Sequence, residues 1–376
     1  EDVIAFKNVS DAQIAPDGSK VAFVVGDSFK VDTKWPKSTI WTVDTDGGEP
    51  RAFTGGPRTD TLPRWSPDGS ILAFASDLLE NGQHQIYLMS ADGGEAKALT
   101  DVKGAISAPR GLNALQWFPD GSSLAFLMED PKTDEEKKRE EEKDDAIVFE
   151  EEPKYVRLWT LNIESGDLEC VSPDGLQIWE FALHPMRPEV AAVVSDDPYE
   201  WAWYSSRLVT FEGNGAAQEH KSVEHQIGLP RWSPDGSTLT FVTSTWSDRG
   251  CTSGEICTLD PATGDVTNLT EGLEAGLGGM NWTADGSTML TIGHEDSGTG
   301  IYRVPVDGSG PAKLWWGQIG VTEPFSPTLT RSSNGTLAVV REDPATPRDV
   351  WIAKESGDAL EWSQLTDFHP QASEVE

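Results

Sequence analysis

A six-residue signature that returns at near-regular intervals limits what this chain can fold into. Trp65-Ser66-Pro67-Asp68-Gly69-Ser70 reads again as Trp117-Phe118-Pro119-Asp120-Gly121-Ser122, as Trp232-Ser233-Pro234-Asp235-Gly236-Ser237 and as Trp282-Thr283-Ala284-Asp285-Gly286-Ser287. A first copy lacks the Trp, Ala15-Pro16-Asp17-Gly18-Ser19, and two decayed copies stand at Leu183-His184-Pro185-Met186-Arg187-Pro188 and Arg331-Ser332-Ser333-Asn334-Gly335-Thr336. That makes seven. Self-similarity at a spacing of this order marks a repeat architecture. Each copy leads into an apolar alternation such as Ile71-Leu72-Ala73-Phe74 or Leu239-Thr240-Phe241-Val242. Asp-Gly or Asn-Gly ahead of such a run supplies the positive φ that a tight hairpin needs.

Roughly 20–25 residues after each copy comes a second hairpin signature. Ile40-Trp41-Thr42-Val43 runs into Asp46-Gly47-Gly48, Ile86-Tyr87-Leu88-Met89 into Asp92-Gly93-Gly94, and Ile256-Cys257-Thr258-Leu259 into Thr263-Gly264. Several repeats then end in Leu-Thr, as at Leu99-Thr100 and Leu269-Thr270. Two hairpins give four antiparallel strands per repeat. A lone four-stranded sheet cannot bury both faces, whereas seven arranged radially pack face to face and leave only short edges. The sequence therefore predicts an all-β fold, a seven-bladed β-propeller over residues 1–367 with four-stranded antiparallel blades. The blades are expected at about 1–55, 56–101, 102–173, 174–220, 221–271, 272–316 and 317–367. The Trp residues read as filler between blades.

Charge narrows the partners. With 63 Asp+Glu against 29 Lys+Arg the formal charge is −34, a field that repels phosphate backbones and anionic headgroups. Neither nucleic acid nor membrane is expected as a partner, and no run of about 18 apolar residues offers a spanning helix. The chain opens at Glu1, without a basic n-region and apolar h-region, so a cytoplasmic location is the expectation for a start that reads as processed or cut. Three cysteines are too few for a disulfide framework; Cys251 and Cys257 leave a local bridge open beside the default of reduced thiols.

Two interruptions break the repeat. Lys132 to Asp145 is almost wholly charged, with opposite-sign i,i+4 pairs Glu135 with Arg139, Lys137 with Glu141 and Lys138 with Glu142. It reads as a solvated loop or a short exposed helix. Its exit, Glu150-Glu151-Glu152, concentrates carboxylate able to hold an ammonium group. The second interruption, Asp196-Asp197-Pro198-Tyr199-Glu200-Trp201-Ala202-Trp203-Tyr204, either lines a substrate opening or plugs the blade. Reactive machinery is missing from the pattern. There is no G-x-S-x-G elbow, no phosphate loop and no dinucleotide fingerprint. The six His residues stand singly, without metal-ligand spacing, and read as loop or rim histidines.

The Ser-Pro-Asp-Gly hairpins, the insert leading to Asp144-Asp145-Ala146, the Arg157-Leu158-Trp159 strand, Trp203-Tyr204 followed by Arg207-Leu208, and Trp246-Ser247-Asp248-Arg249-Gly250 occur in a telling order. Together they resemble the N-terminal propeller of the prolyl oligopeptidase family of serine peptidases, nearest its acylaminoacyl peptidase and dipeptidyl peptidase branch. The resemblance spans nearly the whole chain, although TolB-like propellers share the single hairpin motif. It implies a noncatalytic lid that admits short peptides to an α/β-hydrolase domain carrying a Ser-Asp-His triad, with no catalytic residue, cofactor or metal site in this chain. Residues 368–376, from Phe368-His369-Pro370, then read as the start of a connector to that domain, and the chain as a fragment or isolated domain. Dipeptidyl peptidases of the family hold the substrate ammonium with paired glutamates on a propeller insert, for which Glu151 and Glu152 are the counterparts here. Ile147-Val148-Phe149 replaces the aromatic residues that precede such a pair, and Pro153 follows it, which leaves acyl-blocked or endopeptidase-type substrates open. The competing reading is a stand-alone TolB-like propeller that binds protein partners.

Overall fold

A computed structural model of the chain describes residues 6–28, 37–106, 114–144, 153–220, 225–245, 247–321 and 328–374. Four strands follow one another in each of seven sheets. Blade 1 holds β1 (Asn8–Ile14), β2 (Lys20–Gly26), β3 (Ser38–Asp44) and β4 (Arg51–Ala52). Blade 2 holds β5 (Asp60–Trp65), β6 (Ile71–Glu80), β7 (Gln83–Ser90) and β8 (Lys97–Ala98). Blade 3 holds β9 (Leu115–Trp117), β10 (Ser123–Glu129), β11 (Val156–Asn162) and β12 (Leu168–Cys170). Blade 4 holds β13 (Gln177–Leu183), β14 (Glu189–Ser195), β15 (Arg207–Glu212) and β16 (Gln218–Glu219). Blade 5 holds β17 (Gln226–Trp232), β18 (Leu239–Ser244), β19 (Glu255–Leu259) and β20 (Val266–Asn268). Blade 6 holds β21 (Gly276–Trp282), β22 (Thr288–Glu295), β23 (Gly298–Pro305) and β24 (Ala312–Gly317). Blade 7 holds β25 (Thr330–Arg331), β26 (Leu337–Asp343), β27 (Thr346–Ser356) and β28 (Ala359–Gln364). Every sheet pairs its strands in chain order and antiparallel, as the seven-bladed reading requires. The first strands β1 and β5, β5 and β9, β13 and β17, β17 and β21, and β25 and β1 touch one another, so the first strands ring the axis.

The recurring hexapeptide is a self-contained turn. Asp68 Oδ1 accepts from Ser66 Oγ at 2.6 Å, Ser70 N at 3.0 Å and Ser70 Oγ at 2.8 Å, while Gly69 takes φ 72°. Asp235 repeats the arrangement with Ser233 and Ser237. The Leu-Thr endings have an equally local reason. Thr54, Thr100, Thr270 and Thr366 accept at 2.9 Å from the amides of Ile40, Ile86, Ile256 and Val350, which fastens each outer strand to the third.

The core lies between blades rather than at one centre. Ala22, Val24 and Ile40 of blade 1 pack with Leu72, Phe74, Tyr87 and Met89 of blade 2, all at or below 6% exposure. Burying each large apolar side chain stabilises by about 1.5–3 kcal/mol, so every interface carries its own core. Two of the four motif Trp residues are more than filler: Trp65 Nε1 donates to Gln13 O at 2.9 Å and Trp117 Nε1 to Arg64 O at 3.0 Å, each in the preceding blade, whereas the indoles of Trp232 and Trp282 make no such bond.

Blade 7 meets blade 1 without a shared strand among the described residues. Apolar packing of Val9, Val21 and Phe23 on Ala338, Val340 and Val350 closes the ring. Ser333 N and Asn334 Nδ2 donate to Pro16 O and Asp17 O at 2.9 and 3.0 Å. Phe368 then packs edge-on against Phe23 and Trp41, with centroids 5.8 and 5.3 Å away, and a 3-10 turn follows over Pro370–Glu374.

The charged interruption forms helix α1 (Asp134–Glu142), opened by a capping box between Thr133 and Glu136 and burying none of its residues. Lys138 meets Glu142 at 4.0 Å as the sequence suggests, whereas Lys137 turns back to Asp134 at 3.5 Å.

Candidate functional site

Strand order gives the ring two unlike ends. The hexapeptide hairpins and the third-to-fourth-strand turns lie on one end, here the turn face. The second-to-third-strand connections and the links between blades lie on the other, the loop face, where β1 also begins and β28 ends. Of the exposed large apolar side chains among the described residues, Leu78, Leu79, Trp201, Tyr204 and Trp316 belong to loop-face segments and only Met186 to the turn face.

The inserts of blades 3, 4 and 5 join into an arc on the loop face. Tyr155 hydroxyl donates to Asp196 O at 3.1 Å, and Arg207 Nη2 lies 2.6 Å from Asp196 Oδ1. The second interruption folds as helix α2 (Glu200–Trp203), which buries Ala202 and Trp203 and leaves Trp201 at 52% exposure, so it is plug on one side and open surface on the other. Tyr204 hydroxyl donates to Asp248 Oδ1 at 2.9 Å, and that bond raises the phenol pKa above its usual range. Arg249 Nη2 lies 3.3 Å from Glu200 Oε2, while its guanidinium rests 5.3 Å above the Trp179 ring. Trp179 belongs to the innermost strand β13, so the arc reaches the mouth of the axial channel. Further round the same face, blades 6 and 7 border an open pocket of about 700 Å³ lined by His294, Asp296, Thr299, Gln318 and Pro344.

Deeper on the axis, a layer comes from the residue just before each motif Trp. Each of these residues pairs with the second or third residue of the next strand, as Arg64 with Ala73 and Arg231 with Thr240. In three blades the side chain bridges to the following blade: Gln116 Nε2 donates to Phe181 O at 2.9 Å, Asn281 Nδ2 to Leu329 O at 2.9 Å and Thr330 Oγ1 to Ala12 O at 3.1 Å. Blades 2 and 5 place arginines there. Upstream bulges re-aim the inner strands, with φ 49° at Asp11, 55° at Leu62 and 55° at Leu229. Arg64 Nη1 lies 3.0 Å from both oxygens of Asp11, a buried pair. Glu180 accepts from the Leu229 amide, and burial raises its pKa against that bond. Reading the repeat only from its Trp misses this layer. The signal lies three residues wider, where Leu62-Pro63-Arg64-Trp65 and Leu229-Pro230-Arg231-Trp232 are the same tetrapeptide.

Glu151 and Glu152 lie outside the described residues. The histidines do stand on loops or strand ends, but His184, His220 and His369 are buried rather than on a rim. Burial lowers the pKa of each, which keeps the rings neutral at pH 7. No disulfide joins Cys170, Cys251 or Cys257, and burial pushes the Cys257 thiol up to about 11. Among the described residues no group of His, Cys, Asp and Glu is arranged to hold a metal ion.

Residues 2–149 match the TolB beta propeller domain family. The uncharacterized peptidase YuxL of Bacillus subtilis is 31% identical over 183 residues, 45% of this chain and 27% of that protein. In fold, the chain is similar to the acylaminoacyl peptidase of Pyrococcus horikoshii, with a TM-score of 0.68 and 14% identity over 98% of this chain and 54% of that one. It is also similar to the β-propeller domain of the trilobed protease of Pyrococcus furiosus, described as having an open velcro topology, with a TM-score of 0.65 and 16% identity over 96% of each chain. The chain thus spans about a quarter of the YuxL peptidase and about half of the acylaminoacyl peptidase. It is a seven-bladed β-propeller whose residues 2–149 match the TolB beta propeller domain family and whose fold is similar to that of peptidase propellers.

Proposed function

We propose that this propeller is the noncatalytic, substrate-gating part of a serine peptidase that acts on short peptides, with its loop face set against an α/β-hydrolase domain. The observation that carries the reading is the asymmetry of exposed apolar surface: Leu78, Leu79, Trp201, Tyr204 and Trp316 share the face on which β28 ends. Apolar side chains gathered on one face of an otherwise acidic protein fit a docking surface. The ring restricts the path of a substrate, and the charge of −34 raises the local concentration of cationic peptide N-termini. Glu151 and Glu152 are proposed to anchor such an N-terminus.

The test is made on the complete gene product. It is expected to hydrolyse a tetrapeptide reporter while sparing a folded protein that carries the same sequence, and this chain alone is expected to hydrolyse neither. Hydrolysis by this chain alone, or a complete product without a nucleophile elbow, would overturn the proposal. Replacing Glu151 and Glu152 by Gln is expected to raise KM for free-amine substrates and to leave N-acylated ones unchanged. An unchanged KM for both would remove the ammonium anchor.

A further inference from the structure

The axial layer contains the same acid-to-arginine device twice, three blades apart, and the two copies differ. Asp11 and Glu180 each stand two residues before the ring position of their own blade, and Arg64 and Arg231 occupy the ring position of the blade that follows. In the first copy the device is closed: Arg64 Nη1 is 3.0 Å from both Asp11 oxygens, and Gln13 Nε2 adds a bond to Asp11 Oδ1 at 2.7 Å. In the second it is open. Glu180 is drawn to the backbone amide of Leu229, which leaves Arg231 Nη1 with the bond to Pro230 O at 2.8 Å that Arg64 Nη1 also makes, at 2.6 Å, to Pro63 O. No carboxylate of a described residue makes an ion pair with Arg231.

A guanidinium held inside a protein without a contacting counter-charge is costly, because the surroundings replace only part of its hydration. Arg231 is surrounded by protein yet keeps partial exposure, which on an innermost strand means that it faces the channel. Burial and the charge of Arg64 across the ring both act against its proton, and Glu180 offsets them only from a distance. A guanidinium presents five N–H donors in a planar fork that matches a carboxylate bidentately. Glu180 alongside disfavours a doubly charged anion and suits a singly charged one.

We propose that Arg231 is a carboxylate-binding site in the axial channel, whose ligand completes the ion pair that Asp11 supplies to Arg64. The ligand class is a monoanionic carboxylate, either a free small acid or the C-terminal carboxylate of a short peptide. The proposal does not depend on an adjoining hydrolase domain, and it is tested on this chain by itself.

Calorimetric titration with N-acetyl-Ala-Ala, its C-terminal amide and sodium acetate makes the test. The free acid is expected to bind at least tenfold more tightly than the amide. That preference is expected to vanish in Arg231→Gln and to survive in part in Arg231→Lys. Acetate binding as tightly as the peptide acid assigns the site to free small acids, whereas a tenfold advantage for the peptide assigns it to C-termini. Equal affinity for acid and amide, or a preference kept by Arg231→Gln, overturns the proposal. Should Arg231→Gln fail to fold, arginine side-chain NMR of the wild-type chain decides: acetate must shift the Arg231 Nε–H resonance more than that of Arg64, and an equal or absent shift refutes the site.

Discussion

On the turn face the chain reverses through short Asp-Gly hairpins whose carboxylates are consumed internally, as Asp68 and Asp235 are by flanking Ser hydroxyls and amides. On the loop face, the same blades reverse through inserts that expose Trp201, Tyr204, Leu78 and Leu79 and link blades 3, 4 and 5 into an arc. The difference follows from what each face does for the blade. A tight hairpin fixes the register of the two strands it joins, so its chemistry must be repeated wherever a blade is repeated. A long connection fixes little, and α1 can sit there without burying a residue. Function is therefore expected where repetition fails.

The contrast inside helix α2 yields the largest expected effect. Trp203 is fully buried and packs with Trp179, Leu208 and Trp232, whereas its neighbour Trp201 is 52% exposed. Trp203→Ala is expected to cost about 3–5 kcal/mol in denaturant unfolding, by transfer and cavity terms together. Trp201→Ala is expected to stay within about 0.5 kcal/mol, as exposed substitutions do. A Trp201→Ala cost comparable to that of Trp203→Ala would make the whole helix structural and remove the open surface from the loop face.

A smaller effect is expected where the turn face closes the ring. Gly18 and Gly69 hold nearly the same conformation, φ 79° and 72°, so Ala at either position meets a backbone penalty of about 1–2 kcal/mol. Their surroundings differ: a Cβ on Gly18 would lie 2.4 Å from Asn334 Nδ2 in blade 7, while one on Gly69 would meet only Pro16 Cδ at 3.6 Å. Gly18→Ala should therefore lower the Tm more than Gly69→Ala, by the cost of moving the Asn334 bond to Asp17. Equal shifts would show that this contact contributes nothing to closure.

Much of this was legible in the sequence. The hexapeptide carried its own turn geometry, and the alternation after it carried the strands, because both depend on neighbours within a few residues. The blade-to-blade role of Trp65 was only half legible: its size announced packing, but its bond to Gln13 O depends on a carbonyl in another repeat. The axial layer was the least legible. Arg231 and Arg64 stand in identical tetrapeptides, and what separates them is whether the preceding blade supplies Asp11 within reach or Glu180 out of reach. Buried histidines were misplaced for a related reason. His184 fills the turn position held elsewhere by Ser, stacks edge-on with Trp232 at 4.8 Å and lies against Gly236, contacts that no local pattern encodes.

Acid titration sharpens the comparison at its smallest scale, because Asp68 and Asp235 on the turn face and Asp349 near the loop face are shifted in opposite directions. Bonds from Ser66 and Ser70 hold Asp68 at about 2, and the same bonds from Ser233 and Ser237 hold Asp235 at about 2. A carboxyl depressed in the folded state adds stability that is complete above its unfolded value of about 3.9 and is lost as pH falls through the folded value. Burial instead raises Asp349, at the foot of β27, to about 6, against bonds from Thr366 and Phe368. There the folded state binds the extra proton, so stability falls as pH rises from about 4 to 6. Asp349→Asn should flatten the stability profile across that upper window and leave the decline between about pH 4 and 2 in place. Carboxyl-carbon NMR should show Asp68 and Asp235 still ionised at pH 3, with calcium leaving their resonances unmoved. Ordinary titration of these two aspartates, or a calcium-dependent shift, would mean that the turn-face carboxylates are free to recruit a ligand after all, and the functional division between the two ends of the ring would fail.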